Sequence, residues 1–92
     1  MPGTVAGQLA RLQLGAVVRV VARDPAREVF GRVLEVQSHA LTLRPLGWLR
    51  DESLTVLADV IERVEPAPLD ERAFRMIASR QQAARKEEHR GT

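Results

Sequence analysis

The chain of 92 residues contains no cysteine and no tyrosine. Without thiols it can build no disulfide framework, no thiolate metal site and no cysteine nucleophile. Histidine is scarce too: His39 and His89 are the only two, and neither begins a cluster with metal-ligand spacing. No Gly-rich loop joins a strand to a helix, so no phosphate cradle is expected. Ser38 and His39 are neighbours in a turn, where their side chains diverge and no third group orients the histidine as a base. The carboxylate pairs Asp51-Glu52 and Glu87-Glu88 lie in polar segments, where no burial raises a pKa. No apolar run approaches the roughly 20 residues that a membrane helix needs, and Met1-Pro2-Gly3-Thr4 is not a basic stretch leading into an apolar one. These absences point to a soluble, cytoplasmic, non-catalytic chain that uses no cofactor and no metal.

What is present fits one small domain. A chain of this length buries only about two-thirds of its unfolded surface, so association between copies is an open route to stability. The net charge is +2, distributed as +3 over residues 1–23, −3 over residues 24–69 and +2 over residues 70–92. Attraction to nucleic acid would then come from the two ends, across a mildly acidic middle.

Spacing predicts a short helix from Thr4 to about Leu14, with Thr4 as N-cap, Val5, Leu9 and Leu12 on one side and Gly15 as the left-handed stop. A strand beginning near Leu12 is the alternative. Ala16 to Arg23 is rich in β-branched residues and reads as the first strand, with Val18, Val20 and Ala22 on one face. Asp24-Pro25-Ala26-Arg27 has the composition of a type I turn.

In the second strand Val29, Gly31 and Val33 share a face, and Gly31 permits a sharp bend or a close backbone approach. Gln37-Ser38-His39 turns the chain into a third strand with Leu41 and Leu43 inward and Ala40, Thr42 and Arg44 outward. A loop from Pro45 to Glu52 carries the single tryptophan, Trp48. Ser53 to Ala58 is a charge-free fourth strand, Asp59 interrupts, and Val60 to Val64 closes the pattern with Ile61 and Val64 inward. Pro66 and Pro68 are expected to end the sheet.

From Asp70 the chain reads as helix, with acids at its start and bases toward its end. The apolar stripe of Leu69, Ala73, Phe74 and Ile77, with Met76 at its margin, stops near Ala78, so Gln81 to Thr92 is expected to fray unless a partner orders it. The expected architecture is mainly β: a five-stranded SH3-like or Sm-like barrel over residues 16–66, a helical segment over 1–15, and a C-terminal helix with a basic tail over 69–92.

Val29-Phe30-Gly31-Arg32-Val33, followed by Val36, Leu41 and Leu43, resembles the first motif of the Sm-like barrel family, and Val60 to Pro66 is similar to the closing strand of its Hfq-type members. The resemblance runs from about Gln8 to Pro66; other small SH3-like barrels fit nearly as well. It implies a homo-oligomeric ring that binds single-stranded RNA. Where the family places an Asp and an Asn around a uracil with a stacking side chain, this chain has Gln37, Ala40 and His39, and around Leu57-Ala58-Asp59 the family's basic residues are missing.

The nucleic-acid candidates are therefore Gln37 and His39 at the turn, with Arg11, Arg80, Arg85 and Lys86 as charged arms. Leu54, Thr55, Val56, Leu57 and Ala58 form the candidate oligomer interface, because a strand edge without charge, proline or bulge is unprotected. Trp48 either anchors its loop or serves as a platform for a partner. The second functional reading is a protein-interaction module that uses this sheet edge, the Trp48 loop and the C-terminal helix.

Overall fold

The computed structural model describes residues 5–90, with side-chain surroundings for all of these except 6 and 88–90. In chain order the elements are α1 (Val5–Ala10), β1 (Val17–Ala22), β2 (Arg27–Val36), β3 (Ala40–Pro45), β4 (Leu54–Leu57), a 3-10 turn (Ala58–Val60), β5 (Ile61–Pro66) and α2 (Glu71–Arg90). The strands form one antiparallel sheet in the order β4-β3-β2-β1-β5, so β4 and β5 are its two edges.

The period-2 pattern decides which side chains enter the core. Val18, Val20 and Ala22 are buried along β1, with Gly31 and Val33 on β2 and Leu41 and Leu43 on β3. Val56 of β4, Ile61 and Val64 of β5 and Leu9 of α1 join the same cluster. Burying one such aliphatic side chain contributes about 1.5–3 kcal/mol, so this face carries most of the fold's stability.

Gly31 meets a steric demand inside β2. A Cβ there would stand 2.5 Å from Leu43 Cδ1 and 2.8 Å from the Arg44 carbonyl oxygen. Past Val33 the β2–β3 register slips by one residue, leaving Leu34 as a bulge.

Several expectations are corrected. α1 ends at Ala10, and the chain tightens through i→i−3 bonds from Arg11 to Gln8 and from Leu12 to Leu9; the expected cap Thr4 lies outside the described residues. The β1–β2 turn carries two features its composition did not announce: Asp24 has φ 57 and the Asp24–Pro25 peptide is cis. Ala40, expected outward, is buried.

Pro66 is the last residue of β5, as expected, and still pairs with Val18 there. Two residues earlier the Val64 N–H points away from β1, toward the Gln8 side chain. The Pro66 nitrogen therefore faces outward as well, and its missing N–H costs no ladder bond.

The largest difference is α2, which continues to Arg90. Its start is capped as expected, with the Asp70 carboxylate accepting from the Ala73 N–H at 2.7 Å. Its second half is held by polar contacts that an apolar periodicity cannot reveal.

Candidate functional site

The loop after β3 is built around a turn in which the Trp48 N–H donates to the Pro45 carbonyl at 3.1 Å. Gly47 is the third residue of that turn with φ 90, as type II geometry requires. The same glycine lies against α2: a Cβ there would stand 2.0 Å from the Ala78 carbonyl oxygen.

One turn further along α2, the Gln81 side chain reaches the sheet. Its Oε1 accepts from the Phe30 N–H at 2.9 Å, and its Nε2 donates to the carbonyls of Phe30 and Leu46, both at 2.9 Å. The amide thus imitates a peptide group on the rung of β2 that β3 no longer reaches.

Arg85 completes the attachment. Its guanidinium lies 4.5 Å from the Trp48 ring centroid and 3.1 Å from a Glu52 carboxylate oxygen. Glu52 Oε1 in turn accepts from the Leu49 N–H at 3.0 Å. Trp48 is half-buried and serves as the anchor of its loop through this stack.

Between these parts lies a cleft of about 360 Å³, bordered by Arg27, Glu28 and Val29 of β2, by Pro45, Trp48 and Leu54, and by Gln81 and Arg85 of α2. It occupies the place in the sheet that β3 vacates after Pro45. Sequence reasoning missed Gly47, Glu52 and Gln81. Pro45-Leu46-Gly47 was a readable turn signal, but nothing local marks a glutamine that will bond to a backbone 51 residues away.

If Gln81 carries the docking of α2, Gln81→Leu leaves the Phe30 N–H without a partner. Stability should fall by about 1–3 kcal/mol. In hydrogen exchange, α2 amides beyond Ala78 should lose protection before β1 and β2 do; uniform protection would show that the helix is held otherwise.

The candidate nucleic-acid residues lie on three elements. Gln37 and His39 are exposed in the β2–β3 turn, where Gln37 Nε2 donates to Glu35 Oε1 at 2.9 Å and the His39 carbonyl accepts from the Ala58 N–H at 2.8 Å. Arg11 is exposed just after α1, and Arg80 and Lys86 are exposed on α2, whereas Arg85 is engaged by Glu52 and Trp48.

On the outer face Arg19 is bound by Glu65 and by Glu28, cross-strand partners on β5 and β2. The hydrogen bond to Glu65, then that to Glu28, raise its pKa above the ordinary arginine value. Arg32 lies 5.7 Å from the Phe74 ring centroid, and Arg44 donates to the Arg50 carbonyl at 3.1 Å.

The predicted interface residues divide by the register of β3 and β4. The Ala58 N–H bond to His39 and the Leu41↔Val56 and Leu43↔Leu54 pairs turn the backbone groups of those β4 residues toward β3. Thr55 and Leu57 alternate with them, so their N–H and C=O groups point off the sheet. Leu57 is 51 % exposed, and Thr55 Oγ1 meets Thr42 Oγ1 at 3.0 Å on the outer face. Beside this edge runs a groove bordered by Pro25, Arg27, Leu54 and Val60.

The opposite edge is defended. β5 has a register shift between the Ala22↔Ile61 and Val21↔Arg63 pairs, its Val64 N–H is occupied by Gln8 at 2.8 Å, and Pro66 offers no N–H. Comparison with protein-family models, with curated proteins and with solved structures finds no match for this chain.

Proposed function

We propose that this chain is a non-catalytic interaction module, a small SH3-like or Sm-like β fold that assembles with copies of itself through the free edge of β4. The observation that carries this reading is the contrast between the sheet's two edges. β5 is closed by a register shift, a side-chain bond and a proline, while β4 has outward backbone groups at Thr55 and Leu57 and no charge from Leu54 to Leu57.

Antiparallel pairing of β4 with β4 of a second copy satisfies those groups on both chains about a two-fold axis. Closure of the sheet into a barrel is supported by the shared core, in which Val56 from one edge strand joins Ile61 and Val64 from the other. A surface that repeats on each copy also multiplies weak contacts to a further ligand. For single-stranded RNA such contacts would come from His39, Gln37, Arg11, Arg80 and Lys86.

The test is the solution mass by light scattering. Wild type is expected to be a dimer, and Thr55→Lys, which places a charge at the centre of the edge, should be a monomer with an unchanged circular dichroism spectrum. A wild-type monomer, or a Thr55→Lys variant of unchanged mass, would rule out assembly through β4. A ring of higher mass would redirect the contact to β5. Anisotropy titration with labelled single-stranded RNA near 50 and 200 mM salt tests the second ligand: binding that weakens steeply with salt and on His39→Ala supports it.

A further inference from the structure

The cleft under α2 has the features of a strand-binding slot, and it meets the β4 edge that the proposed assembly uses only at Leu54, where that strand begins. Along β2 the backbone groups alternate in direction. Val33 faces β1, since its N–H donates to the Ala16 carbonyl at 3.0 Å and its carbonyl accepts from the Gly15 N–H at 2.8 Å. Counting back by twos, Gly31, Val29 and Arg27 face β1 as well, and Arg32, Phe30 and Glu28 face the side of β3.

Arg32 is opposite Arg44, and Pro45 is the last β3 residue in register, opposite Gly31. Phe30 has lost β3 and is served by Leu46 and by the Gln81 amide. Glu28 is the next rung, and among the described residues its backbone N–H and C=O have no partner. Both point to the side where the cleft opens.

We propose that this cleft binds an extended acidic peptide, which pairs with the Glu28 backbone as a short added strand and sets a carboxylate against Arg27. Hydrogen bonding makes the ligand a polypeptide, because a donor and an acceptor separated as in one residue match the Glu28 rung as Gln81 matches the Phe30 rung. The β2 edge from Arg27 to Phe30 spans about 10 Å, which is room for three or four residues of strand.

Charge makes the ligand acidic. The one carboxylate bordering the cleft, Glu28, is already bound by Arg19, and Arg85 is engaged by Glu52. Arg27 has no ion-pair partner among the described residues, so the cleft presents one uncompensated positive group. Alternate side chains of the strand would meet Val29, Pro45 and Leu54, with Trp48 as the end wall.

A random heptapeptide library displayed on phage is selected on the wild-type protein, and the consensus peptide is synthesised and titrated by calorimetry and by amide NMR. The expected consensus has a β-branched or aliphatic residue two places from an acid, and its titration should move the Glu28 amide and the Trp48 indole most.

Glu28→Pro removes the outward N–H without a ladder bond to β1, as Pro66 does on β5, and should weaken binding about fivefold to tenfold. Glu28→Gln, which keeps the N–H, should bind as wild type does. Should Glu28→Pro fail to fold, the same loss is expected from N-methylating the peptide's pairing amide, and Arg27→Glu should weaken acidic peptides alone.

The proposal is overturned if no consensus emerges, if an N-methylated peptide binds unchanged, or if the cleft amides respond to single-stranded RNA instead. It is overturned equally if the peptide moves Thr55 and Leu57, which would assign it to the β4 edge. Repeating the titration on Thr55→Lys separates the two surfaces, since the cleft should bind the peptide equally well in that variant.

Discussion

Replacing Gly47 by alanine should lower stability by about 3 kcal/mol, combining a left-handed backbone with a steric conflict, and should release α2 from the sheet. The φ of 90 at this position is unfavourable for any residue with a Cβ, and the added carbon would stand 2.0 Å from the Ala78 carbonyl oxygen. That oxygen belongs to a helix backbone and cannot turn aside as a flexible side chain would.

The conflict is relieved only if loop and helix separate. Separation breaks the three Gln81 hydrogen bonds and the stack of Arg85 on Trp48. The loss should therefore have a ceiling, the free energy of docking α2, with the five-stranded sheet still folded. Urea unfolding followed by tryptophan fluorescence should start from an already red-shifted native baseline, and hydrogen exchange should show α2 open while β1 and β2 stay protected.

Gly15→Ala is the control. Its φ is 85, but a Cβ there has nothing within 4 Å, so only the conformational cost of about 1 kcal/mol is expected. Equal effects at the two glycines would show that backbone conformation alone matters and that α2 does not press on the loop.

What the sequence could express was decided by period. Alternation grouped Val18 with Val20 and Ala22 on one face, set Val33 with Val29 and Gly31, and turned Leu41 and Leu43 inward, while Ile61 and Val64 were picked as core contacts; Val18, Val20, Ala22, Val33, Leu41, Leu43, Ile61 and Val64 are buried. Gly31 was partly readable: a glycine inside an apolar strand signals a bend or a close approach, and the structure shows the close approach.

Features that depend on which way a backbone amide points were not readable. Pro66 ends β5 as its composition signals, but whether its missing N–H costs a ladder bond depends on the register of β5 on β1, and that register arises only when the strands meet. The extent of α2 failed for a related reason. An apolar stripe ends near Ala78, whereas the helix goes on because a glutamine finds two backbone carbonyls and an N–H on distant β2 and on the turn after β3. The cleft is equally non-local, since it exists because β3 stops at Pro45, opposite Gly31, while β2 begins four residues beyond that rung, at Arg27.

The second large effect is expected at the centre of the core. Leu43 is fully buried, and Leu43→Ala should cost about 3–4 kcal/mol through lost transfer free energy and the cavity left behind. Its diagonal neighbour on β2, Gly31, changes how that number should be read. Gly31→Ala alone inserts a methyl group 2.5 Å from Leu43 Cδ1 and 2.8 Å from the Arg44 carbonyl oxygen, an overpacking worth about 2 kcal/mol.

In the double variant the first of these conflicts disappears, because the Leu43 methyl has been removed and the new Cβ enters part of the vacated space. The conflict with the Arg44 carbonyl persists, so the rescue is partial. The double variant should be more stable than the sum of the single losses by about 1 kcal/mol, within the range of coupling between residues in contact. Strict additivity in urea unfolding would mean that Gly31 is required by the approach of the β3 backbone alone. A larger coupling would mean that the Leu43 side chain sets the distance between β2 and β3 at the rung just before β3 leaves the sheet, and hence how wide the cleft beyond Pro45 opens.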